Sequence, residues 1–367
     1  MSLFGSQAQS TSTITSVGTE NDLANDCVLT SPPEDSISDM AFSPQSDLIA
    51  VASWDKKVRI YEVAPTGENQ GRTIYQSQGR ALYDHQAPVL SVHWSPDGSK
   101  VASGGADKAG RVYDLQTGQS AQVAAHDATI SSVRWVDIGP SQGPMIATAS
   151  WDKTLKYWDL RQQNAISTVQ LPERAYSMDS QKQLLVVGTA ERQICVIDLS
   201  NPQTIFKRID SPLKWQTKVI TCYPTGDGYA IGSIEGRCAL QYVDAAQQSA
   251  KGFSFKCHRT TVPNRNESQV FAVNAISFHP IYGTFSTAGA DGCFNFWDKE
   301  AKHRLKGWPS RQATISSTAF NRNGTIFAYA LSYDWSKGYQ FNTPEYPNIV
   351  RFHNATDDET KQRKKTR

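Results

Sequence analysis

The sequence predicts an all-β chain folded as a seven-bladed β-propeller. One unit recurs along it: a strand of small residues, an acidic turn, then an alternating strand ending in an aromatic or apolar residue. Tyr61, Tyr113, Trp158, Ile197, Tyr242 and Trp297 hold the equivalent place. They are spaced about 40 to 55 residues apart, the size of a four-stranded propeller blade. No stretch of a dozen residues has helical periodicity.

The first full copy is AVASWDKKVRIYEV, Ala50 to Val63. KVASGGADKAGRVYDL (Lys100 to Leu115) and ATASWDKTLKYWDL (Ala147 to Leu160) follow. LLVVGTAERQICVIDL (Leu184 to Leu199) and YAIGSIEGRCALQYV (Tyr229 to Val243) are worn copies. FSTAGADGCFNFWDK (Phe285 to Lys299) restores the pattern, and IFAYALSYDW (Ile326 to Trp335) makes the seventh. Most copies open on a further strand and turn, as in ISDMAFSPQSD and VLSVHWSPDGSK. Period-2 alternation between Ser-Pro, Asp-Gly and Asn-Gly turns is the mark of antiparallel strands.

Composition narrows the class. No apolar run approaches the ~20 residues that span a bilayer, and the N-terminus lacks a secretory signal's basic start and apolar core. The reading is a soluble intracellular chain. Cys27, Cys195, Cys222, Cys238, Cys257 and Cys293 include no Cys-x-x-Cys pair and no zinc spacing, so they read as free thiols. The net charge of +2 hides an asymmetry: residues 1–36 hold five acids and no base, leaving +7 for the remainder. Residues 1–20 read as a disordered Ser/Thr/Gln-rich tail, residues 21–355 as the propeller, and residues 356–367 as a basic tail ending KQRKKTR. Such a tail serves as a nuclear-import address, a nucleic-acid contact or a solvated end.

The charged, aromatic repeats resemble an active site but read as blade construction. Asp152 sits at a turn where it can accept from turn amides and from His126. A His–Asp–Ser/Thr–Trp chain through Ser150 and Trp158 would cross-link the blade. His85, Asp107 and Tyr113 repeat the logic one blade earlier. Asp55 and Asp291 occupy the same turn with no obvious histidine before them. Recurrence in several blades and the absence of a nucleophile elbow argue against Ser/His/Asp catalysis. GGADKAG and GDGYAIGS are turns rather than phosphate loops. The reading is a non-enzyme without cofactor or metal.

Function is then sought in residues that break the blade rule. Arg174 stands beside Tyr176, Trp215 between Lys214 and Lys218, and Arg237 just after an acidic turn. GFSFKCHR clusters Phe255, Lys256, His258 and Arg259, and WDKEAKHRLKGW carries Lys299, Lys302, Arg304 and Lys306. Gathered on one face, these would suit an acidic, hydrophobic peptide or single-stranded nucleic acid. They would equally serve as solubilising and packing residues.

Over nearly the whole chain the sequence resembles the nuclear-pore-associated mRNA-export WD-repeat family (Gle/Rae type), and its fungal members in particular. LPERAYSMD, GTAERQI, SPLKWQTK, EGRCALQY, GFSFKCHR and HPIYGTFSTAGADG carry the likeness. The resemblance implies a non-catalytic adaptor at the nuclear pore that binds a GLEBS-type segment of an FG-repeat nucleoporin on its loop face. It implies support of poly(A) RNA export, with direct or indirect RNA contact, shuttling to the cytoplasm, and a chain monomeric apart from its partner. Arg237 would pair with an acid of that segment; Phe255, His258, Trp297 and Lys299 would line a neighbouring groove. Lys256, Arg174, Arg192, Trp215 and Arg259 match the family's motifs without an assigned role. The family also implies that NDCVLTS pairs near YPNIVRFHN, closing the ring with strands from both ends. The rival family, spindle-checkpoint WD-repeat proteins binding kinase peptides, shares the EGR element but not the extended SFKCHR and LKGWPS segments.

Overall fold

The structure, a computed structural model, describes residues 16–139 and 143–363. Four-stranded antiparallel sheets follow one another as blades 1 to 7, over residues 37–84, 89–125, 130–170, 175–210, 217–256, 273–307 and 315–354. The first strands of successive blades touch in an unbroken cycle, and that of blade 7 touches that of blade 1. The second strand of a blade is covered on both faces by its neighbours. Hence Leu184–Thr189 and Ile326–Leu331 are buried at every position and read as continuous apolar or small runs. Blade 7 has only three strands of its own, and Cys27–Val28 supplies the fourth, antiparallel to Ile349–Asn354. That pairing removes the edge an open ring would expose.

The innermost strands are fastened by side chains lining the channel. Asp39 of blade 1 accepts from the Val92 amide of blade 2 at 3.0 Å, and Ser91 from Val133 of blade 3 at 3.2 Å. Ser132 accepts from Met178 of blade 4, and Ser177 from Ile220 of blade 5. Each first strand also carries a bulge one residue from its start. The extra residues are Ser38, Leu90, Ser131, Tyr176, Lys218, Asn274 and Ser316, one per blade. A bulge re-aims the chain locally, and these seven residues ring one mouth of the channel.

Three features depart from the sequence reading. Residues before Asn21 already belong to the fold: Ser16–Val17 adds a parallel fifth strand to blade 6, beside Lys306 and Gly307. Of the predicted N-terminal tail, residues 1–15 lie outside the described residues. The C-terminal segment is not simply a tail either. Asp357–Thr360 forms a helical turn with Glu359 and Thr360 buried, and only residues 364–367 of the basic run lie outside the described residues. Finally, Ala245–Lys251 forms a short helix before the fourth strand of blade 5, capped by Asp244 accepting from the Gln247 amide. At seven residues it is too short to leave a periodicity signal. All six cysteines are free.

Candidate functional site

The histidine networks fall at the ends of blades. In blade 3, His126 Nδ1 donates to Asp152 at 2.8 Å, and its Nε2 accepts from Thr148 Oγ1 at 2.7 Å. The Trp158 indole donates to the same hydroxyl at 2.8 Å. The bridging hydroxyl is therefore Thr148, not Ser150, which instead bonds the Ala128 carbonyl and the Asp152 amide. Burial pushes the His126 pKa below its ordinary value, only partly offset by Asp152. Burial works against the Asp152 charge, but hydrogen bonds from Thr154 and His126 hold its pKa low. A neutral imidazole between a carboxylate and a threonine that is itself bonded to an indole makes a cross-link, and no serine is paired with it.

Blade 2 varies the device. His85 bonds Asp107 at 2.9 Å and accepts from Ser103 at 2.7 Å, and the Ser103 hydroxyl in turn accepts from Tyr83 at 2.8 Å. Tyr113 stacks on Tyr83 with ring centroids 5.1 Å apart, so it packs against the network instead of ending it. The third network corrects the sequence reading at Asp291, which does have a histidine. His258 bonds Asp291 at 2.9 Å and Thr287 at 3.0 Å, and Trp297 donates to Thr287 at 2.9 Å. His258 is fully buried, so its side chain faces the blade and not the groove the resemblance implied. It was missed because a hairpin, Arg259–Thr261 with Ser268–Val270, separates it from its blade's first strand. At Asp55 the place of the histidine is taken by Arg59, paired with the carboxylate at 2.5 Å.

The remaining candidates divide between two ends of the propeller. On the face carrying the acidic turns, Arg237 follows Gly236. That glycine has φ +67°, and a Cβ there would meet the His258 carbonyl oxygen at 2.1 Å, so no other residue fits without moving the chain. Arg237 Nε lies 3.8 Å from Glu235, its side chain about one-third exposed. Lys256 is its cross-strand partner, and Arg259 donates to the Glu235 carbonyl at 3.3 Å. Arg192 holds the equivalent turn of blade 4 and donates to the Leu213 carbonyl. Arg174 lies in the loop entering blade 4, more than half exposed, and Trp215 in the loop entering blade 5, 60 % exposed.

Lys299 leaves the third strand of blade 6 at its other end, so it does not join that set. Phe255 and Trp297 meet between blades 5 and 6 with centroids 4.6 Å apart, and Lys302 Nζ lies 5.0 Å from the Phe253 ring. Lys299 Nζ sits over the Tyr223 and Tyr242 rings and bonds Glu300. Burial opposes its charge, yet Glu300 and Tyr242 keep its pKa raised. The result is an aromatic cluster packed between blades 5 and 6, with the Lys299 side chain only 10 % exposed, instead of the open groove the resemblance implied. Among the described residues no group of three His, Cys, Asp or Glu is arranged to hold a metal, and no helix is long and apolar enough to cross a membrane.

Comparison with known proteins agrees with this geometry. Residues 118–159 match the WD domain, G-beta repeat model, and residues 40–138 the model described as anaphase-promoting complex subunit 4 WD40 domain. The chain is 57 % identical to the Poly(A)+ RNA export protein of Schizosaccharomyces pombe, covering 100 % of this chain and 99 % of that protein. It belongs to the Gle2/Rae1 family. Further relatives are the mRNA export factor GLE2 of Chaetomium thermophilum, 55 % identical over 98 % of both chains, and Protein Rae1 of Drosophila melanogaster, 44 % identical over 92 % of this chain and 96 % of that one. Gle2/Rae1 relatives named as export factors thus align along the chain from blade 1 to blade 7, not over an isolated repeat.

Proposed function

We propose that this chain is a non-catalytic adaptor at the nuclear pore, binding a GLEBS-type segment of an FG-repeat nucleoporin and supporting export of poly(A) RNA. The observation that carries the reading is Arg237 on its Gly236 turn, in a chain whose full-length relatives are named as export factors. A partly exposed arginine with only a 3.8 Å contact to Glu235 keeps its fork available for a partner's carboxylate. Lys256, Arg259, Arg192, Arg174 and Trp215 extend the same face, so an acidic segment with apolar residues finds both charge and an anchor there. Phe255, Trp297 and Lys299, packed between blades 5 and 6, would take part in binding a second arm of the partner or an RNA strand only through the edges they leave exposed.

Calorimetric titration with a GLEBS-type peptide tests this. Tight binding is expected, weakened at least about a hundredfold by Arg237→Glu, since charge reversal at a central anchor is a hot-spot loss. Unchanged binding in the variant would remove Arg237 from the interface. Preference for a checkpoint-kinase peptide would move the chain's function to the spindle checkpoint.

A further inference from the structure

On the turn face the central channel opens into a cavity of about 580 Å³, ringed by the seven bulge residues. Its wall is aromatic: Trp54, Trp151 and Trp335 come from the turns of blades 1, 3 and 7, with Tyr176 and Tyr333 beside them. Trp54 and Trp335 stack at 3.8 Å, and Trp151 is 42 % exposed. Such ring faces attract flat apolar groups and, through their quadrupoles, cations.

The polar part of the wall decides between these. Thr217, Asn274 and Ser316, from the adjacent blades 5, 6 and 7, line the cavity. Thr217 is 1 % and Asn274 8 % exposed. Thr217 Oγ1, Asn274 Oδ1 and Ser316 Oγ are all buried without a hydrogen-bond partner. Native interiors rarely leave such atoms unpaired. The amide nitrogen of Asn274 is already committed, donating to the Ile315 carbonyl at 3.0 Å and to Asp334 at 3.1 Å. Asn274 therefore offers an acceptor only, and Asp334 adds a carboxylate at the same mouth. An amide oxygen that can only accept, two hydroxyls free to accept, a carboxylate and a tryptophan wall together suit a flat, donor-rich cation.

We infer that the channel mouth is a binding site for a guanidinium group, the side chain of an arginine on a partner peptide. Guanidinium is planar, donates through five N–H groups and stacks on aromatic faces. The Trp335 indole N–H, also unpartnered, takes a carbonyl of the same peptide. Lys218, the bulge residue of blade 5, stands on the rim and opposes the incoming charge, which supplies a discriminating variant. The site opens on the same face but is lined by none of the residues of the Arg237 surface, and it needs no acid on its ligand, so it goes beyond the adaptor reading.

The test is fluorescence titration of the full chain with N-acetyl-argininamide, beside N-acetyl-leucinamide and uridine monophosphate. Saturable binding of the arginine amide alone is expected, about tenfold weaker in Asp334→Asn, the loss of one charge-assisted contact. It should tighten in Lys218→Ala and stay unchanged in Arg237→Glu, so that its failure is distinct from failure of the nucleoporin reading. Equal binding of the leucine amide would reduce the mouth to an apolar cavity. Nucleotide binding weakened by Lys218→Ala would make it an anion site. No saturable binding by any of the three, or weaker arginine binding in Lys218→Ala, would overturn the proposal.

Discussion

Two buried histidines at opposite sides of the ring carry opposite charge states. His126, in blade 3, has one carboxylate and one hydroxyl, and burial keeps its pKa below the ordinary value. His353, in blade 7, lies between two carboxylates, with Nδ1 2.8 Å from Asp26 and Nε2 3.1 Å from Glu359. Burial again favours the neutral ring, but Asp26 and Glu359 together outweigh it and push the pKa up to about 9. One buried acid leaves an imidazole neutral; two make it a cation. The difference also separates two kinds of fastening. The His126 network ties a blade to its own entering loop. The His353 cluster ties together the N-terminal segment, blade 7 and the C-terminal turn, and through Glu359 it reaches Arg72 of blade 1 at 2.7 Å and Lys306 of blade 6 at 3.0 Å.

The sharpest way to break that comparison is at Glu359. Its carboxylate faces His353, Arg72 and Lys306, and it also accepts from the Thr356 amide. Burial works against its charge, yet these partners hold its pKa far below the carboxylate range. Glu359→Ala leaves Arg72 and Lys306 with only the longer contacts to Asp22, and His353 with Asp26 alone. Breaking a buried ion cluster at one member costs about 3–5 kcal/mol. Urea unfolding should show that loss, with the C-terminal turn becoming protease-sensitive. A cost under about 1 kcal/mol would mean that the closure is held by strand pairing alone.

pH dependence separates the two histidines by sign. The folded pKa of His353, about 9, exceeds its ordinary value of 6.5. Its contribution is therefore complete below pH 6.5 and is lost as pH rises through about 9, roughly 3 kcal/mol for a shift of that size. His126 runs the other way: with its folded pKa depressed, its contribution is present above pH 6.5 and is lost as pH falls below it. His353→Gln should flatten the alkaline arm of a stability–pH curve, and His126→Gln should reduce the acid loss. If His353→Gln leaves the alkaline arm intact, the imidazole is not the cation in the cluster.

How far the sequence reveals this architecture differs between the two regions. The blades are legible because each repeats the same small-residue second strand and acidic turn, and strands buried on both faces admit few residue types. His126 and Asp152 can be paired because only three residues separate the histidine from its blade's first strand. The same pairing at His258 and Asp291 was hidden by the intervening hairpin. The closure cluster left no local pattern at all. Asp22, Asp26, Arg72, Lys306, His353 and Glu359 come from five separate stretches, and only the closed ring brings them together. The acids at residues 357–359 stand just before a basic run, so composition alone reads the whole segment as a tail. The channel mouth escaped for a related reason. Its tryptophans stand one residue from the turn acids, where they read as part of the repeat, and no sequence pattern marks a bulge.

The smallest expected effect concerns which hydroxyl serves His126. Thr148 and Ser150 are two apart on one strand, so they share a face and the sequence pattern alone cannot choose between them. Register decides. Thr148 pairs with Lys156 and Ile146 with Trp158, which sets the indole at the Thr148 hydroxyl, while Ser150 lies at the end beside the entering loop. Thr148→Val keeps the shape but leaves His126 Nε2 and the Trp158 indole N–H buried without partners, at a cost of about 1–3 kcal/mol. Ser150→Ala removes bonds of 3.2 Å and 3.1 Å to loop and turn backbone and should cost about 1 kcal/mol. Ser103→Ala in blade 2 should resemble the threonine variant, because Ser103 bridges His85 and Tyr83 in the same way. Unfolding free energies that rank Ser150 above Thr148 would place the hydrogen-bonded chain where the sequence first suggested it, and would make blade 3 unlike blades 2 and 6.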